Sequence, residues 1–344
     1  MRILVTGNQG YIGTNLTQYL IDKGHDVFGL DCGYFSDCNL TPLSNEVTTF
    51  QCDIRDVEVA NLVGFDLVVH LAALSNDPVG ELDEALTYEI NYHAAVRVCE
   101  IAKRAGVSRF VFVSTQSIYG ISDNLSELDE DKSIKNPQTI YAKSKWNAEQ
   151  EILSMSTEKF VSVAIRPSTV FGWGPRLRSD IVFNNLLLSG MEIGKIEVHS
   201  DGSPWRPVVH IYDIARAVEA CIDSPVSAIS GSAFNIGMIN GNYTVKELAE
   251  AANNCLGNIP IMYNTENIVD PRSYRVSFSR AREVLGFQAK ITLEEGGREI
   301  MDAVQKYMKQ NVVILSRKTN RLQQMKYLLG EGRLDESLRF RQKL

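Results

Sequence analysis

An α/β fold built on a doubly wound parallel sheet is the architecture this chain predicts. Three observations carry it. Short apolar runs alternate with helical patterns through the first half of the chain. The first run, Ile3-Leu4-Val5, leads into a glycine-rich turn that opens a helix. Later runs, at 65–71 (FDLVVHL) and 109–114 (RFVFVS), are continuously apolar, as in strands buried on both faces.

In chain order, residues 3–5 read as a strand and 14–23 as a helix closed by Gly24. Residues 26–30 form a second strand ending at Asp31, and 50–53 a short third one. Residues 65–71 follow, then a long amphipathic helix over 88–105 closed by Gly106. Strand 109–114, helix 141–155 and strand 161–166 complete the series. After Pro167 the pattern changes, and Gly, Pro and Trp thicken between 171 and 207. Elements at 181–188 and 244–256 stand among loops, and 211–221 is expected to return to the first lobe. The reading is a dinucleotide-binding domain of 1–167 plus about 208–238 and a smaller, discontinuous lobe of 168–207 plus about 239–310. The tail 311–344 carries periodic leucines and reads as a helical appendage on a neighbouring element or a second subunit.

Composition bounds the function. The 344 residues carry a net charge of -7, which argues against a general nucleic-acid binder. No run is apolar enough to span a membrane, and a strand starting at Arg2 leaves no room for a signal peptide. The six cysteines lack any C-x-x-C pair, so reduced thiols in a cytoplasmic protein are expected. No metal-ligand pattern stands out.

The turn Thr6-Gly7-Asn8-Gln9-Gly10-Tyr11-Ile12-Gly13 lies between strand and helix, where a dinucleotide fingerprint belongs. Gly7 suits the tight turn, Gly10 close approach to a pyrophosphate, and Gly13 helix–strand packing. The helix start offers free N–H groups to the phosphates. Asp31 can accept both ribose hydroxyls of an adenosine, and with no arginine directly after it, Cys32 following, NAD is favoured over NADP. Asp53 and Ile54 stand where an adenine is held. Tyr141 and Lys145 are neighbours on one helix face. A free tyrosine has a pKa of about 10, and a nearby ammonium lowers it, making Tyr141 a candidate base. Lys145 can also bind the nicotinamide ribose. In Ser114-Thr115-Gln116-Ser117, Thr115 is the candidate hydroxyl for the same substrate oxygen.

T-G-x-x-G-x-x-G, H-L-A-A (His70 to Ala73), S-T-x-x-I-Y-G and Y-x-x-x-K occur here in one order and spacing. With them come Arg166-Pro167, Val170-Phe171-Gly172, the 201–215 stretch DGSPWRPVVHIYDIA, and Phe234-Asn235-Ile236-Gly237. Over residues 1 to about 308 the chain resembles the extended short-chain dehydrogenase/reductase family, in particular NAD-dependent nucleotide-sugar epimerases and dehydratases on a Rossmann fold. The resemblance implies Tyr141 as catalytic base and acid, Lys145 as its partner and Thr115 as the third catalytic hydroxyl. It implies that Gln9, Leu71, Ala72, Ala73, Asn91, Ser114 and Pro167 attend the cofactor. Arg206 matches an arginine gripping the nucleotide diphosphate, with Arg176, Arg178 and Arg272 as further candidates. Asn184 and Asn185, with Ser75, Asn76, Gln116 and Thr169, are the remaining candidate substrate contacts. A homodimer through the helices at 88–105 and 141–155 is also implied.

Two departures narrow the reaction. Family members that dehydrate across C4–C6 carry Asp-Glu after the catalytic threonine, whereas here stand Gln116 and Ser117. The family's R-x-x-N is Arg166-Pro167-Ser168-Thr169, without the asparagine. The expectation is oxidation at C4 of a nucleotide-diphosphate sugar, with an epimerase favoured over a net dehydrogenase or ketoreductase. A non-catalytic NAD-binding regulator and a reductase of a small ketone are the readings from other classes. The intact Thr115, Tyr141 and Lys145 oppose the first, and Arg206 the second.

Overall fold

The apolar runs become the central strands of a parallel sheet in the computed structural model, which describes residues 1–43, 47–122, 126–264, 272–309 and 313–341. The strands are β1 (Arg2–Thr6), β2 (Asp26–Asp31), β3 (Thr49–Gln51), β4 (Leu67–His70), β5 (Arg109–Val113), β6 (Val161–Pro167), β7 (Thr169–Phe171), β8 (Ile196–Val198), β9 (Trp205–His210), β10 (Ser232–Ile236), β11 (Asn242–Thr244) and β12 (Ile261–Tyr263). Seven of them form one sheet in the order β10-β6-β5-β4-β1-β2-β3, all neighbours parallel. The order reverses beside β1, and ligands of such sheets bind beyond the carboxyl ends of the strands at that reversal.

Strand alternation divides the core. Ile3 and Val5 face the helices Tyr11–Asp22 and Ile211–Asp223 through Leu16, Leu20, Ile214 and Val218. Leu4, Phe110 and Phe112 face the other layer, where Val98 and Ile101 of Ala95–Arg104 pack with Ala148 and Ile152 of Ile140–Ser154. Every residue of β6 is buried, as a strand covered on both faces requires.

Beyond β6 the strands are short. β7 pairs parallel with β9, β9 antiparallel with β11, and β8 parallel with β12. Helices Val182–Ile193, Val245–Leu256 and Leu293–Met308 cover them, and their Phe183, Leu248 and Ile300 continue the first core layer without a break.

Two expectations change in detail, and the structure decides between the two alternatives for the tail. The third strand is Thr49–Gln51, because the Asp53 carboxylate turns to accept the Arg55 N–H and cap a 3-10 turn. The long central helix is α-helical over Glu84–Tyr88 and Ala95–Arg104 but takes a π turn over Glu89–Ala94. The tail packs on this chain's own first sheet. Helix Arg321–Gly330 sends Met325 and Leu328 into the core beside Val98 and Phe110, and Leu334 and Leu338 follow. Arg339 pairs with Asp56, and Gln324 donates to the Tyr34 carbonyl.

Candidate active site

A cleft of about 590 Å³ opens over the carboxyl ends of the central strands. Gly7, Gly10, Tyr11, Ile12 and Gly13 line one end. Gly7 stands at φ +72, and a Cβ there would lie 2.8 Å from the Ala72 amide nitrogen. A Cβ on Gly13 would strike the Gly7 carbonyl oxygen. No side chain caps the helix that begins after Gly10, so its first N–H groups remain available to an anion. The buried Ser114 Oγ lacks a hydrogen-bond partner among the described residues and borders the same cleft. These features fit a dinucleotide. Asp31 closes that end, its carboxylate accepting the Gly33 N–H at 2.7 Å and the Gln9 N–H at 3.1 Å. Burial pushes its carboxyl above the usual range, against the two N–H bonds. Cys32, Asp53, Ile54, Leu71, Ala72, Ala73 and Pro167 also line the cleft.

Thr115, Tyr141 and Lys145 all line it, with Thr115 and Tyr141 in hydrogen-bond contact. Thr115 sits just past β5, and Thr139 caps the helix bearing the other two by accepting the Ala142 N–H. The electrostatics differ from the sequence expectation. Burial, with the Asp77 carboxylate adding, pushes Tyr141 up to about 12, against a hydrogen bond from Thr115 and the charges of Arg178 and Arg272. The Lys145 Nζ lies 4.1 Å from the centre of the Phe112 ring, and burial brings Lys145 down to about 7, with Glu149 opposing.

Ser75, Asn76, Thr169, Asn185, Arg206 and Arg272 line the same cleft. Arg272 pairs with Asp77 at 2.9 Å and donates to Ser117 Oγ at 3.1 Å. Arg206 donates to the Arg272 carbonyl. Arg178 is held by Asp180 and reaches Ser75. Asn76 adopts φ 79, a costly region for a side-chain-bearing residue, and donates to Asp180 at 2.7 Å.

Five expected contacts lie off the cleft wall. Gln116 is buried, and its amide is spent on the Arg166 carbonyl and Ser168. Asn184 is spent on Tyr11, the Arg178 carbonyl and the Gly172 N–H. Arg176 turns to the cofactor end, bonding Asn39 and the Gln9 carbonyl. Asn91 bridges the N–H and carbonyl of Leu74, and so holds the loop that carries Ser75. Gln9 contributes through its backbone. Asp77, in the 74–78 loop that the sequence reading expects along the sugar pocket, is on the cleft wall. The sequence reading missed Asp180, Phe35 and Arg321, also on that wall.

A cleft lined by a dinucleotide turn and by several arginines defines a class of nucleotide-dependent oxidoreductases. Residues 3–237 match the sequence profile of the NAD dependent epimerase/dehydratase family, and the chain belongs to it. It is 27% identical over 305 residues to UDP-glucuronic acid decarboxylase 1 of Arabidopsis thaliana, covering 86% of this chain and 68% of that one. It is 29% identical over 310 residues to UDP-glucose 4-epimerase of Mycolicibacterium smegmatis, covering 86% and 96%. Among solved structures, MoeE5 in complex with UDP-glucuronic acid and NAD matches with a TM-score of 0.77 at 26% identity, over 89% of this chain and 100% of that one. Among the described residues no helix is long and apolar enough to cross a membrane, and no group of side chains could hold a metal ion.

Proposed function

We propose that this enzyme works at C4 of a nucleotide-diphosphate sugar through a 4-keto intermediate and epimerises that carbon. The supporting observation is one cleft lined together by Asp31 and the glycine turn, by Thr115 and Tyr141, and by Arg206 and Arg272. Asp31 would hold the adenosine ribose of NAD, the N–H groups after Gly10 its diphosphate, and Ser114 and Lys145 its nicotinamide half. Bound there, NAD supplies a hydride acceptor and donor. Tyr141 takes the C4 hydroxyl proton as the carbon loses hydride, and returns it when hydride reaches the opposite face. Thr115 hydrogen-bonds the same oxygen. Arg206 and Arg272 suit a diphosphate because a guanidinium presents a planar donor fork. Dehydration across C4–C6 is not proposed, since Gln116 is locked in the scaffold and Ser117 accepts from Arg272. We further assign 168–207 with about 239–310 to sugar-nucleotide binding, and a homodimer through the helices at 88–105 and 141–155, to be checked by light scattering.

The test has two parts. Mass spectrometry of the denatured, freshly purified protein is expected to release near-stoichiometric NAD or NADH. Incubation with UDP-sugars and no added cofactor is then expected to give the C4 epimer by NMR. Empty protein that needs added NAD and turns it over would sink the epimerase reading in favour of a net dehydrogenase or ketoreductase. UDP-glucuronic acid belongs in the panel, because a 4-keto group there lies β to the carboxylate and CO2 loss would reveal decarboxylation.

A further inference from the structure

One guanidinium on the cleft wall comes from the C-terminal tail. Arg321 opens the helix Arg321–Gly330 in the tail, yet it is only 2% exposed and borders the same cleft as Gly10 and Tyr11. Its Nη2 donates to the Arg176 carbonyl at 3.0 Å, and its guanidinium carbon lies 4.2 Å from the centre of the Phe35 ring. Its Nη1 is buried with no hydrogen-bond partner among the described residues. A charged donor left unpaired out of water is costly.

The surrounding charges do not satisfy it. Burial first, then Arg178, push Arg321 down to about 10; Asp180 opposes this. Asp180 already accepts from both Nε and Nη2 of Arg178. Asp31 is occupied by two backbone N–H groups. Arg176, Arg178 and Arg321 therefore leave a surplus of buried positive charge beside the cofactor end. Both Asp31 and Tyr11 feel the Arg321 charge, which places it near the ribose-reading carboxylate and the helix start.

We propose that Arg321 binds the diphosphate of the dinucleotide, so that the tail secures the bound cofactor. The inference rests on the NAD reading of the glycine turn and not on the sugar reaction. An anion there would pair the orphaned Nη1 and offset the surplus charge.

The test is calorimetric titration of full-length, cofactor-stripped protein with NAD, ADP and adenosine, alongside the Tm of the unliganded protein. Arg321→Met is expected to weaken NAD and ADP about tenfold or more while leaving adenosine within about twofold. Its unliganded Tm should be unchanged or higher, because an uncompensated buried charge is gone. Arg321→Lys should recover part of the affinity, and it carries the same comparison if the methionine variant does not fold. NAD affinity within about twofold of wild type, together with a lowered unliganded Tm, would assign Arg321 a packing role and overturn the proposal. An equal loss for adenosine would overturn the diphosphate assignment. Wild-type protein that binds no NAD would overturn both this inference and the cofactor reading beneath it.

Discussion

Lys145 is 1% exposed, and burial lowers it from 10.5 to about 7. Between those two values the unfolded chain binds a proton that the folded chain does not, so stability from this group rises as pH climbs through that window. Below about 7 the folded protein carries the full cost of a buried ammonium. Lys145→Met is therefore expected to raise stability at pH 6, on the order of 2 kcal/mol, with the gain shrinking toward pH 10. Urea unfolding at both pH values measures it, and a gain that grew with pH would refute the sign. Tyr141 tests chemistry instead. Tyr141→Phe should retain NAD and lose turnover by about a hundredfold or more, followed by NMR of the sugar; unchanged turnover would remove Tyr141 from the reaction. That Thr115, Tyr141 and Lys145 meet in one cleft was legible, because Thr115 follows a strand and Tyr141 and Lys145 share a helix face. Their protonation was not. That depends on burial and on Asp77, which a different segment brings to the site. Gln116 shows a similar limit, since nothing in its position tells that its amide is used up by β6 and Ser168.

A π turn interrupts the long helix where Asn91 meets the loop after β4. That residue supplies both an acceptor to the Leu74 N–H at 2.8 Å and a donor to the Leu74 carbonyl at 3.0 Å, and it is fully buried. Asn91→Leu leaves both backbone groups unpaired, so a loss of about 2–4 kcal/mol is expected. Because Ser75 and Asn76 follow Leu74, the KM for the sugar nucleotide should rise more than kcat falls. Equal stability by denaturant titration would show that the loop holds itself. The central strands were readable at this scale because β4 and β5 lie in continuous apolar runs. β9 was not, since Trp205-Arg206-Pro207 reads as a loop when a proline breaks the run. Its neighbours decide the matter: β7 pairs with it on one side and β11 on the other, and both are three-residue strands with no periodicity to detect.

The tail makes the molecule one cooperative structure or two. Its leucine spacing shows that a face must be covered, but periodicity cannot say by what, and a neighbouring subunit and the chain's own sheet look alike from the sequence. In the fold, Met325, Leu328, Leu334 and Leu338 enter the same core layer as Leu4, Phe110 and Ile152, and Arg55 donates to the Ser337 carbonyl. If that layer melts as a unit, damage in the tail must be felt by the central sheet. Leu328 is 1% exposed, and Leu328→Ala should cost about 2–5 kcal/mol. The loss should appear as a lower midpoint of a single transition, with the slope against denaturant unchanged. Near-ultraviolet signals from buried aromatic residues would shift together with the far-ultraviolet helix signal. A variant that instead showed an early, small transition followed by a wild-type midpoint would mean that the tail unfolds by itself, and that the core layer is complete without it.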